Sequence, residues 1–265
     1  MKTVEGARAL VTGASSGIGK AITKQLLEQG AEVVAVARNP DKLKNLADEC
    51  DSTRLHTIQA DLSVVNGVST LVKKLETEDF RENINLLVNN AGIGYYGRFD
   101  SAKSNTFRKM VNLNIAALTE LTHYLIEPMK HQKSGGILNI SSMAGFTPVP
   151  GFAVYAATKS YVTNLSKALH YELKDYGIHV SSCCPGPVQT DFFENASSSN
   201  TAKSQVGLLL PEFVAEVALS GLLQNKKQVI PGYRGKFLYF FNSVIPEILA
   251  IKAAAKAVEK HQHRK

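Results

Sequence analysis

Arg8-Ala9-Leu10-Val11-Thr12-Gly13-Ala14-Ser15-Ser16-Gly17-Ile18-Gly19 is the stretch on which the reading turns. A short β run ends in a glycine-rich turn. Ile18, Ala21, Ile22 and Leu26 then recur at helical spacing. Glycines between a strand and a helix let backbone approach a bound group closely. The helix N-terminus behind them favours anionic oxygens. Glycine clusters alone are weak evidence, because turns use glycine everywhere. The strand before and the helix after are what give this one weight. Its first two glycines stand further apart than in the G-x-G-x-x-G pattern.

Outward from this turn, strand and helix signals alternate. Gly30 stops the first helix. Ala31–Ala37 is a continuous apolar strand, and Asn39-Pro40 reads as an N-cap and first-turn proline. Further strands are expected at Arg54–Gln59, Ile84–Val88, Gly136–Ile140, Ile178–Cys183 and Gln228–Ile230. Helices are expected at Ser63–Thr77, Ser104–Gln132 (with Pro128 a kink or boundary), Ala153–Tyr176 and Pro211–Leu223. Apolar strands separated by helices predict a parallel sheet covered on both faces. The fold class is therefore α/β: a doubly wound, Rossmann-type sheet of about seven strands. Residues 1–232 form the expected catalytic domain, with a lid over about 191–210. Residues 233–265 are a helical C-terminal extension of the same domain.

The 265 residues suit one large α/β domain, and a hydrophobic fraction of 44% suffices for its core. Cys50, Cys183 and Cys184 make a poor disulfide framework and no zinc cluster, so no metal is expected and a reducing cytoplasm fits. Signal-peptide and membrane-spanning patterns are not seen, and the expected location is cytoplasmic. The net charge is +7, of which residues 252–265 hold +4. Without an interleaved aromatic-basic patch, nucleic acid is not an expected partner. His123, His170 and His179 read as structural.

Thr-Gly-x-x-x-Gly-Ile-Gly resembles the short-chain dehydrogenase/reductase family. Asn89-Asn90-Ala91-Gly92, after the fourth strand, is similar to that family's Asn-Asn-Ala-Gly element. Asn114, Ser142, Tyr155 and Lys159 fall where the family keeps its catalytic four. Pro185-Gly186, Val188 and Thr190 match its nicotinamide-holding segment. The likeness covers roughly residues 5–230. It implies hydride transfer between nicotinamide and a carbonyl or alcohol carbon, and assembly as a homodimer or homotetramer. It implies cofactor contacts from Gly13, Ser15, Ser16, Gly17, Ile18, Gly19, Asp61, Leu62, Asn89, Ala91 and Gly92, and from Tyr155 and Lys159. Asn114 would hold a water behind Lys159, although Asn112 competes for that place.

Tyr155 and Lys159, four apart, share a helix face. A phenol ordinarily titrates near 10, too high for base work at neutral pH, and a nearby ammonium is expected to lower it. Ser142 would stabilise charge on the substrate oxygen. Ser141, on the opposite face by strand alternation, reads as packing. The second strand ends at Arg38 rather than at an acid, which favours NADP(H) through the 2′-phosphate; NAD is the weaker alternative. Asp41 belongs to a helix's first turn.

Ile93, Tyr95, Tyr96, Phe146, Val149, Phe152, Val188, Phe192 and Phe193 flank the site, so the small-molecule substrate is expected to be apolar. The C-terminal block from Phe237 to Leu249, followed by Lys252, Lys256 and Lys260, has two readings. Favoured is a helix pair packed on the site or a neighbouring subunit; the other is a membrane-surface helix. Competing functions are a non-catalytic NADP(H)-binding regulator and a membrane-peripheral, lipid-modifying reductase. Epimerisation and dehydration lack room for a substrate domain.

Overall fold

The computed structural model describes residues 1–192, 196 and 208–262. Seven parallel strands form one sheet in the order β3-β2-β1-β4-β5-β6-β7. They are β1 (Arg8–Thr12), β2 (Glu32–Ala37), β3 (Leu55–Gln59), β4 (Leu86–Asn89), β5 (Gly135–Ile140), β6 (Ile178–Cys183) and β7 (Gln228–Val229). Between them run α1 (Gly17–Glu28), α2 (Pro40–Cys50), α3 (Gly67–Thr77), α4 (Thr106–Val111), α5 (Leu118–Gln132), α6 (Ala153–Glu172) and α7 (Pro211–Leu223). The expected doubly wound α/β fold is the observed one.

Strand alternation sorts the core into two layers. Ala9 and Val11 of β1 face one side with Ile22 and Leu26 of α1 and Leu219 of α7. Leu10 faces the other with Leu71 of α3 and Leu121 of α5. Each such fully buried leucine stabilises the fold by roughly 1.5–3 kcal/mol. Strand order reverses between β1 and β4, which opens a crevice at their carboxyl ends. Residues 12–19 and 89–92 meet there. Asn39 caps α2 as expected, its Oδ1 accepting from Lys42 N at 3.0 Å.

The long helix expected over Ser104–Gln132 is divided. A π-helical turn, Asn112–Ala117, separates α4 from α5, while Pro128 lies inside α5. Beyond β7 come α8 (Tyr233–Val244) and α9 (Glu247–Gln262). Among the described residues no helix is long and apolar enough to cross a membrane. Most of the lid expected over 191–210, and Phe193 with it, lies outside the described residues. The flanks at Val188 and Leu209 pair as a parallel bridge.

Candidate active site

The turn between β1 and α1 is built for close approach. Gly13 and Gly17 have φ of +65° and +52°, which glycine alone adopts without cost. A Cβ on Gly13 would meet Asn90 Nδ2 at 2.8 Å, and one on Gly17 would meet Thr190 Cγ2 at 2.8 Å. A Cβ on Gly19 would collide with the Gly13 carbonyl. Ser16 is the N-cap of α1, yet its side chain caps nothing and the first turn holds no acid. The α1 N-terminus therefore keeps backbone N–H groups for an anionic ligand. Ser15 and Ile18 are half-buried along the same turn.

Thr12 clasps the two crevice strands. Its hydroxyl donates to Val88 O at 3.3 Å and accepts from Asn90 N and Ala91 N at 3.0 and 3.1 Å. Asn90 Nδ2 donates to the carbonyls of Thr12 and Gly13 at 3.0 and 3.1 Å. Asn89, an expected cofactor contact, turns its side chain elsewhere. Its side chain is buried and donates to Thr122 Oγ1 at 3.0 Å and Asn139 Oδ1 at 2.9 Å, away from the glycine turn. Successive strand residues face opposite sides, so Asn90 takes the crevice position.

Arg38 follows β2 and is exposed, its carbonyl accepting from Gln59 Nε2 at 3.4 Å. Asp61 lies close enough to feel its charge. Burial alone would raise the Asp61 pKa, but bonds from Ser63 N and Oγ at 2.9 and 2.6 Å, helped by Arg38 and Lys109, hold it below its ordinary value. Leu62 is buried beside it.

The four expected catalytic residues converge beyond β4 and β5. Tyr155 and Lys159 are both buried on α6. Lys159 Nζ donates to Ile140 O at 2.8 Å, and lies 5.7 Å from the Tyr155 ring centre. Ser142, just past β5, hydrogen-bonds the Tyr155 phenol, and its Oγ also accepts from Ala144 N at 3.1 Å. Ser141 points into the core, bonding Lys159 O at 2.8 Å and Thr163 Oγ1 at 2.7 Å. Asn114 sits in the π turn. Its Oδ1 accepts from Ile93 N at 3.0 Å, while Nδ2 donates to Ile93 O at 2.9 Å and Thr158 Oγ1 at 3.0 Å. Asn112 reaches Ser63 O at 3.2 Å instead. Gly92 separates Asn114 from Lys159: a Cβ there would lie 3.4 Å from Asn114 Oδ1 and 3.5 Å from Lys159 Nζ.

The expected lowering of the phenol by the lysine is not observed. Burial pushes Tyr155 up to about 12, with only the Ser142 bond pulling against it. Burial likewise brings Lys159 down to about 8, against a raising influence from Cys184. Desolvation penalises both charged forms.

A family model described as short chain dehydrogenase matches residues 7–201. The chain belongs to the short-chain dehydrogenase family. It is an NAD(P)-dependent oxidoreductase acting on carbonyl or alcohol groups. A very-long-chain 3-oxoacyl-CoA reductase-like protein of Arabidopsis thaliana is 34% identical over 255 residues, 92% of this chain and 78% of that one. A short-chain dehydrogenase from Sphingobium yanoikuyae, solved with NADPH, is 29% identical with a TM-score of 0.78, covering 91% of this chain and 96% of that one. A 3-ketoacyl-(acyl-carrier-protein) reductase from Brucella melitensis, solved with NADH, is 28% identical with a TM-score of 0.76, covering 88% and 100%.

Around the dehydrogenase's Tyr155, six of the expected flanking residues assemble with Met110: Ile93, Tyr95, Tyr96, Val149, Phe152 and Phe192. The Phe152 and Phe192 rings lie 4.3 and 5.3 Å from that of Tyr155. Two flanking residues go elsewhere. Phe146 packs on Tyr239 of α8 at 4.7 Å, and Val188 joins the core layer of α1 and α7. Pro185 O accepts from Met143 N at 2.9 Å, and open space lies beside Gly186. The sequence reading missed Thr12 and Asn90, although both stand in motifs it had singled out.

Proposed function

We propose that the chain is an NADP(H)-linked reductase of hydrophobic ketones, with Tyr155 as the proton donor. The observation that carries this reading is geometric: the Tyr155 phenol is buried, bonded to Ser142 and beside Lys159 beneath an aromatic cluster. The glycine turn and the uncapped α1 N-terminus fit a dinucleotide pyrophosphate, with Gly13, Ser15, Ser16, Gly17, Ile18 and Gly19 around it. Asp61, Leu62, Asn90, Ala91 and Gly92 would flank the adenosine half. Pro185, Gly186, Val188 and Thr190 would flank the nicotinamide. Arg38 would take the 2′-phosphate, since no acid ends β2 to bind a 2′-hydroxyl. The related enzymes were solved with NADPH and with NADH, so this preference rests on Arg38.

When bound, the reduced nicotinamide supplies the hydride. Ser142 orients the substrate carbonyl oxygen and stabilises the negative charge that develops on it. The Tyr155 phenol then gives that oxygen its proton. Lys159, beside the ring, stabilises the phenolate left behind. Asn114 clamps Ile93 and Thr158, and so fixes the loop and the helix that face each other across Lys159. The aromatic surroundings, and the 3-oxoacyl substrates named for two relatives, support a ketone on a lipophilic chain. Assays of NADPH and NADH oxidation with short and long-chain ketones test the proposal. Turnover that prefers NADPH and rises with chain length is expected; no turnover of any ketone would refute it.

A further inference from the structure

Helix α8 wears its apolar face outward. Gly235 and Tyr239 seat it on the protein: a Cβ on Gly235 would meet Ile230 and Met143, and Tyr239 packs on Phe146. On the opposite face Phe237, Phe240, Phe241 and Val244 recur at i, i+3, i+4 and i+7, with Tyr233 one turn earlier. All are exposed, Phe237 by 66% and Phe240 by 65%. Phe237 and Phe241 stack on one another at 6.2 Å. In α9, which follows, Ile248 and Leu249 are exposed as well. Exposed Lys252 and Lys256 then follow Ile248 at four-residue spacing, on the same face.

Charge decides what covers this face. Over residues 233–256, Arg234, Lys236, Lys252 and Lys256 stand against Glu247 alone, a net of +3. A second copy, meeting the stripe by two-fold symmetry, would bring the same positive charge against itself. An anionic surface reverses the sign of that interaction. Exposed phenylalanines bordered by lysines match the side-chain chemistry of a helix lying in a bilayer's headgroup region.

We propose that α8 and the start of α9 dock on the surface of an anionic lipid bilayer. The aromatic stripe enters the acyl boundary, and Lys252 and Lys256 meet the headgroups. The chain then lies on the membrane without spanning it. Because α8 rests on residues 143–146, immediately after Ser142, the docked bilayer adjoins the reaction centre. The docking itself does not depend on the proposed substrate.

The test is sedimentation of the full chain with vesicles of phosphatidylcholine, alone or mixed with phosphatidylglycerol. Binding to the mixed vesicles that weakens as salt is raised is expected. The Phe237→Ser/Phe241→Ser variant should bind at least about tenfold more weakly. Lys252→Glu/Lys256→Glu should also lose affinity, by about a hundredfold at low salt. Both should keep the wild-type rate of NADPH oxidation with a water-soluble ketone. No binding to anionic vesicles, or binding that neither variant changes, overturns the proposal. So does a dimer in ultracentrifugation that the phenylalanine variant dissolves while lipid binding is absent. A wild-type chain that binds vesicles but reduces no ketone refutes the catalytic reading and leaves the docking intact.

Discussion

Lys159 and Tyr155 lie buried side by side, the ammonium 5.7 Å from the ring centre, and each titrates on the wrong side of its ordinary value for carrying charge. For Lys159 the folded value is about 8, against 10.5 ordinarily. Between those two pH values the unfolded chain holds a proton that the folded chain has released. Stability contributed by this group therefore rises with pH across that window and is flat below it. The full rise is on the order of 3 kcal/mol. Tyr155 acts oppositely, from about 10 to about 12, where the folded chain keeps the proton. Urea unfolding from pH 7 to 10.5 should show wild type gaining stability relative to Lys159→Met above pH 8. Parallel curves for the two proteins would contradict the buried ammonium.

Removing the phenol oxygen separates chemistry from binding. Tyr155→Phe keeps the ring that packs on Phe152 and Phe192, so the fold and cofactor affinity should persist. Turnover should fall by about 10²–10⁴-fold, the range for a lost general acid. Ser142→Ala should lower kcat by about 10²–10³-fold. Steady-state kinetics together with NADPH fluorescence titration check both. A Tyr155→Phe protein that still turns over at the wild-type rate would place the proton donor elsewhere. One that no longer binds NADPH would give the phenol a binding role instead.

The doubly wound parallel sheet, the glycine turn and the shared helix face of Tyr155 and Lys159 were legible because each rests on spacing, whereas Ser142 was legible only through the family resemblance. Apolar period, glycine position and a four-residue helical step survive translation into three dimensions with little ambiguity. What was not legible depended on facing. Asn89 and Asn90 are chemically identical, and only the register of β4 decides which one reaches the glycine turn and which enters the Thr122–Asn139 network. The π turn at Asn112–Ala117 leaves the apolar pattern unbroken, so a single long helix was the natural reading. The depressed phenol pKa failed because proximity on a helix was read without the cost of burial. The aromatic stripe of α8 has the period of a core-facing helix, yet Tyr239 and Gly235 take the inward side.

Asn114 is a clamp whose loss should appear in stability as well as rate. It satisfies both the N–H and the carbonyl of Ile93, and reaches Thr158 on α6. Asn114→Ala removes the side-chain partner of the half-buried Ile93 N–H and carbonyl, at a cost of about 1–3 kcal/mol. The loop carrying Gly92 and Ile93 should loosen, so kcat should fall further than NADPH affinity. Hydrogen exchange at the Ile93 amide, measured beside urea unfolding, reports the local effect. An unchanged exchange rate would mean that Asn114 does not hold this loop.

On the proposed reading, Arg38 selects NADP(H). It stands directly after β2, and the described residues offer its guanidinium no ion pair, while Asp61 is close enough to feel its charge. A 2′-phosphate would give it charge-assisted hydrogen bonds, each typically about 1.5–3 kcal/mol. Arg38→Ala should therefore weaken NADPH binding by about 10–100-fold and leave NADH binding within about twofold. Arg38→Asp goes further, because a carboxylate repels phosphate and accepts from the ribose hydroxyls of NADH. It should invert the preference. Titration of the three proteins with both cofactors makes the comparison without any substrate. If the ratio of the two affinities stays constant across wild type, Arg38→Ala and Arg38→Asp, the guanidinium does not read the 2′ position, and the NADP(H) preference loses its support.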